Sequence, residues 1–179
     1  MRTSSLTDRI HRLPTLLKTL VDITMLRKGP EALPPTWIVF YLTLGLWLIG
    51  ILAMAAVVPG LAPADMLVDV AGWALSLALF AVVIVGMGFS HRLSQGLAAI
   101  SGSGAVILYA QVVVAAIVVR LDAASVAGLL FELLLIWAIF VAGRILAVTI
   151  NVHPFVGVAI SVIVYVLRYF SSIAMAPAS

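Results

Sequence analysis

Five stretches of about 20 mostly apolar residues fill positions 37 to 173, and each is long enough, at a helical rise of about 1.5 Å per residue, to cross a hydrocarbon layer of about 30 Å. They run over residues 37–58, 66–89, 97–119, 124–150 and 155–173. A chain that is 64% hydrophobic and only 9% charged has too little polar surface to enclose that much apolar surface in water. Lipid is the solvent this composition requires.

The choice between helices and strands follows from periodicity. A transmembrane barrel needs segments of about ten residues in which polar and apolar positions alternate. The run from Leu75 to Val85 is apolar on every face instead. The expected fold is therefore all-α: a polytopic bundle of five transmembrane helices over residues 37–179, preceded by a distinct region at 1–36. No cleaved leader is expected, because the first 36 residues are mixed in polarity and the first long apolar run begins at Trp37.

Orientation follows from the basic residues, which concentrate in short cytoplasmic loops. With the N-terminus inside, Arg2, Arg9, Arg12, Lys18, Arg27, Lys28, Arg92 and Arg144 lie on or near the cytoplasmic side, and only Arg120 and Arg168 of the ten lie on the other. The loop from Pro59 to Asp65 has no basic residue, whereas the one from Ser90 to Gly96 carries His91 and Arg92. An odd number of spans then puts the C-terminus outside. The expected location is the cytoplasmic (inner) membrane.

Residues 1–36 read as a separate region that holds an amphipathic helix over 5–28. Ser5-Leu6-Thr7-Asp8 fits a capping box, and Leu6, Ile10, Leu13, Leu17 and Leu20 recur in steps of three and four, widened by Leu16 and Ile23. Pro14 is placed to bend this helix, and Gly29-Pro30 followed by Pro34-Pro35 ends it. Arg9, Arg12 and Lys18 lie off the stripe, where they would meet anionic head groups at the cytoplasmic interface. The other reading of the same stripe is that it packs on the protein's own bundle or on a partner.

Ionisable groups inside the spans are the sharpest functional clue, since a charge in hydrocarbon is costly unless it snorkels or is paired. Arg144 is near the inner end of the fourth span and can extend to the interface. Glu132 is shorter and sits about eight residues, or roughly 12 Å, into the same span from its outer end. Arg168 in the fifth span reaches a similar depth, with Tyr165 and Tyr169 beside it. Glu132–Arg168 is the preferred pair, with Asp69 and Arg120 as the nearby alternatives. As a structural pair it would fasten two helices; as part of a polar route, with Gln111, it would serve a channel or transporter.

Small residues mark where helices come close: Gly86 and Gly88 at the end of the second span, and Gly102 and Gly104 within Ser101-Gly102-Ser103-Gly104 in the third. Ser103-Gly104 is similar to the serine-glycine pair of intramembrane serine proteases, with His153 as a conceivable base. Those enzymes, however, carry glycine where this chain has Ser101. Asn151-Val152-His153-Pro154 reads better as the turn that starts the last helix. With no cysteine and three scattered histidines, no metal or cofactor is expected.

Five clustered spans behind an amphipathic cytosolic region, entered through Arg27-Lys28-Gly29-Pro30-Glu31-Ala32-Leu33-Pro34-Pro35, resemble the Yip family of Rab-interacting membrane proteins and their bacterial relatives. Where bacterial relatives carry a glycine-leucine-proline motif, the fourth span here reads Ala142-Gly143-Arg144-Ile145-Leu146-Ala147. The resemblance implies a non-enzymatic helper that works through other membrane proteins or through membrane shape. The expected function is thus a small accessory or scaffold protein, with a channel or transporter component as the alternative. Its expected partners are membrane lipids and other integral membrane proteins or further copies of itself, not nucleic acid.

Overall fold

A computed structural model describes residues 12–121 and 124–175, with side chains over 14–121 and 128–175. Among them are six α-helices and no strand: α1 (Arg12–Thr24), α2 (Trp37–Val57), α3 (Pro63–Gly86), α4 (Leu93–Leu121), α5 (Ala124–Thr149) and α6 (Pro154–Met175). Single 3-10 turns at Pro30–Ala32 and Ser90–Arg92 lead into α2 and α4. Five of the helices, α2 to α6, are long and apolar enough to cross a membrane, and the chain is a multi-pass membrane protein.

Helix boundaries depart from the hydropathy boundaries where capping chemistry takes over. The second span starts at Pro63, three residues before its apolar run, because proline suits the first helical turn and the Asp65 carboxylate accepts the Ala62 N–H at 3.3 Å. Pro154 starts the last helix in the same way. The third span extends at both ends, to Leu93 and Leu121.

Helix α4 is the hub. It packs against α1, α2, α3 and α5, while α6 lies against α3 and α5. Close association in lipid depends on van der Waals fit, and α4 supplies it with small buried residues from Ser94 through Ala105. A Cβ on Gly102 would land on Leu20 of α1, and one on Gly104 would come 2.7 Å from the Trp73 indole of α3. The tightest crossing is that of α5 and α6, where a Cβ on Gly143 would meet the Val158 backbone at 2.5 Å and one on Gly157 would strike the Gly143 carbonyl. Buried hydroxyls mostly donate to their own helix, as Thr43 does to Phe40 O (2.9 Å) and Ser76 to Gly72 O (2.9 Å), so few polar groups are lost to the lipid-like interior.

Two of the glycines expected at helix contacts make none. A Cβ on Gly86 or Gly88 would meet nothing within 4 Å. Gly88 instead ends α3 at φ +83°, with Phe89 N–H donating to Ile84 O (3.0 Å) and Gly88 N–H to Val85 O (2.9 Å), the paired bonds of a Schellman cap.

Of the α1 stripe residues whose side chains are described, Leu20 and Ile23 are buried in the protein, Leu16 is half-buried and Leu17 is exposed. Thr24 is buried as well, while Val21 and Met25 are open. The connector that follows is pinned to α4 by Gln95, whose Nε2 donates to Leu33 O at 2.6 Å. Packing on the protein's own bundle, the second reading of the stripe, therefore describes Leu20 and Ile23. Lys18 is exposed. Arg9 and the Ser5–Asp8 capping box lie outside the described residues, as does the Arg12 side chain.

Candidate functional site

Asp65, Asp69 and Trp73 follow one another at four-residue steps along α3, and so share one face of the helix. Tyr165, Arg168, Tyr169 and Ser172, at steps of three, one and three, likewise share a face of α6, which runs antiparallel to α3 because successive spans alternate in direction. The two faces meet at the end of the bundle that carries the loop after α2 and the C-terminus of α6. There the Arg168 guanidinium donates to the Asp69 carboxylate and forms an ion pair with it.

Besides the Asp69 carboxylate, an aromatic ring holds the guanidinium in place. It lies over the Trp73 ring at 5.6 Å, and Trp73 stacks on Trp47 of α2 with centroids 5.2 Å apart and planes 12° from parallel. Gly72 leaves the room that the arginine stem occupies, since a Cβ there would stand 3.2 Å from Arg168 Cγ. Gly104 does the same for the indole, and Trp73 is only 4% exposed. The Trp73 Nε1–H has no hydrogen-bond partner among the described residues. Beside this cluster a cleft of about 510 Å³ is lined by Asp65, Asp69, Arg168, Gln111, Tyr165 and Leu108 among others.

The Glu132–Arg168 pairing expected from depth is not formed. Arg168 belongs to Asp69, the alternative, because the face of α6 that carries it is turned to α3. From α5 the cleft receives Leu135 and Ala138, while Glu132 is exposed beside Leu129, Leu133 and Ile136, without an ion-pair partner among the described residues. Arg120 is exposed near the end of α4 and is not part of the pair; Arg144 is exposed toward the opposite end of the bundle. Gln111 lines the cleft.

Sequence reasoning missed Trp47, Trp73 and Gly72. The signal for Trp73 was its four-residue step from Asp69 and its place directly after a glycine; an aromatic residue amid apolar ones carries no other mark. The missed Gly143 and Gly157 had none, since single glycines in apolar helices are common in membranes. No protein-family model matches the chain, and neither the characterised proteins nor the solved structures compared with it give a match.

Proposed function

We propose that this five-span protein is an accessory or scaffold component of the cytoplasmic membrane, acting through helix contacts with other integral membrane proteins or with further copies of itself. The observation that carries the proposal is Glu132. It stands on an open face of α5 among Leu129, Leu133, Ile136 and Phe140, with no partner among the described residues. A carboxylate in hydrocarbon costs about 2.5–3.5 kcal/mol near a helix centre on insertion scales, a penalty that a polar group on a neighbouring helix would remove. Resemblance to the Yip family supports the same kind of role.

The cysteine-free chain makes the test direct. Leu133→Cys should cross-link in native membranes to a partner or to a second copy of this 18.9 kDa chain, and adding Glu132→Ala should abolish the adduct. An uncross-linked protein that runs as a monomer with or without Glu132 would remove the basis of the proposal. Labelling of cysteines placed near either end should find the N-terminus inside and Ser179 outside.

The second reading, a channel or transporter component, draws on the cleft beside Asp69 and Arg168. Solute flux into proteoliposomes that depends on those residues would favour it.

A further inference from the structure

We infer that the cleft between α3, α4 and α6 binds a compound that carries a primary ammonium group with an oxygen acceptor close by. Its volume of about 510 Å³ falls within the range of small-molecule sites. Two carboxylates, Asp65 and Asp69, face a single guanidinium, Arg168, among the residues lining it, so the cleft carries an excess of one negative charge and favours a cation.

The carboxylates are one helical turn apart, which places their Cβ atoms about 5–6 Å from each other, near enough to flank one ammonium group. Each keeps an oxygen for that purpose. Asp65 Oδ2 accepts the Ala62 N–H, and Asp69 Oδ1 accepts an Arg168 N–H, while the Asp69 side chain remains 44% exposed. Free carboxylate lone pairs require N–H donors, so a primary ammonium suits them and a fully methylated one does not. A divalent metal would meet the Arg168 guanidinium at the same carboxylate.

The opposite need is for an acceptor. Arg168 retains N–H groups beyond the one given to Asp69, Gln111 brings its amide into the cleft, and the Trp73 Nε1–H in the wall has no partner among the described residues. A ligand oxygen placed near its own ammonium would answer Arg168 and Gln111 while the nitrogen answers Asp65 and Asp69. Ile107, Leu108 and Leu135 add an apolar stretch of wall, and Tyr165, Tyr169 and Ser172 add hydroxyl-bearing side chains to the lining. Ethanolamine head groups of lipids and free zwitterionic amines share this chemistry.

The test uses the full chain in phosphatidylcholine nanodiscs, with tryptophan emission and calorimetry as readouts. Ethanolamine should bind saturably, and choline, its trimethylated counterpart, about tenfold or more weakly. Asp65→Asn should weaken ethanolamine binding by about the same factor while the unfolding temperature stays that of the parent. If only phosphatidylethanolamine added to the disc shifts the emission, in a manner that Asp65→Asn abolishes, the ligand comes from the bilayer; binding of the free compound assigns it to solution. Equal binding of the methylated and unmethylated probes overturns the inference, as does indifference to every primary amine, free or lipid-borne. Should Asp65→Asn unfold, the comparison of the two probes on the unaltered protein still decides.

Discussion

The Arg168 guanidinium on α6 binds the Asp69 carboxylate on α3, 99 residues earlier in the chain, and ties together two helices that are not neighbours in sequence. The pair is partly open to the cleft, with side chains 23% and 44% exposed, so it is worth less than a fully buried one. Asp69→Ala should nevertheless destabilise the bundle, by about 1–2 kcal/mol, because Arg168 is left without its carboxylate beside the aromatic ring. Replacing both by leucine should recover most of the loss, as it removes the desolvation cost along with the attraction. Unfolding in detergent, arranged as a double-mutant cycle, measures both. Glu132→Ala in the same assay should leave the Asp69–Arg168 coupling unchanged.

Glycines separate by the space around them and by backbone conformation. Gly104→Val and Gly143→Val insert bulk where the Trp73 indole and the Val158 backbone already sit, and each should cost about 1–3 kcal/mol. Gly86→Ala meets open space within α3 and should be neutral or stabilising by up to about 1 kcal/mol. Gly88→Ala meets open space too, but at φ +83°, and should lose about 1 kcal/mol to backbone strain alone. Thermal unfolding of the four variants ranks them.

That division explains how far the fold could be read from the residues. Span number and type were legible because twenty apolar residues in a row leave lipid-spanning helix as the only stable state. The partner of Arg168 was not, since depth along a span follows from counting residues but the direction a side chain faces depends on which helices become neighbours. Asp69 and Glu132 lie at comparable depth, and α6 packs on the helices of both; what decides is that Asp69 faces α6 whereas Glu132 is turned outward from α5. Gly88 was misread for a related reason, because a small residue at a helix end serves a cap as readily as a contact.

Helix α1 provides a third test. Leu20 is fully buried against Gly102 of α4, so Leu20→Ala should cost about 2–5 kcal/mol locally and free the helix from the bundle. Leu17→Ala, at a residue 48% exposed, should leave docking intact and reduce only the attraction of the open face for anionic vesicles. Limited proteolysis across residues 25–36 reads docking, and vesicle flotation reads lipid attraction. Equal protease resistance of the Leu20 variant and the parent would show that α1 is held by some other contact.

The end of α1 should respond to acid, and in one direction. Lys28 Nζ lies 2.8 Å from Asp22 Oδ2, and this bond, aided by the charges of Lys28, Lys18 and Arg27, holds the Asp22 carboxyl below its usual range. A carboxyl whose pKa is lowered on folding contributes stability above its unfolded value of about 3.9 and loses it as pH falls through the lower folded value. Protection of the Asp22–Lys28 turn, where Arg27 N–H donates to Asp22 O at 2.8 Å, should therefore stay level between about pH 7 and 5 and decline below about 4. Asp22→Asn should flatten that decline, since the amide carries no titratable charge. Amide hydrogen exchange at Arg27, corrected for its intrinsic pH dependence, measures it, and an unchanged acid profile in Asp22→Asn would assign the loss to another carboxylate.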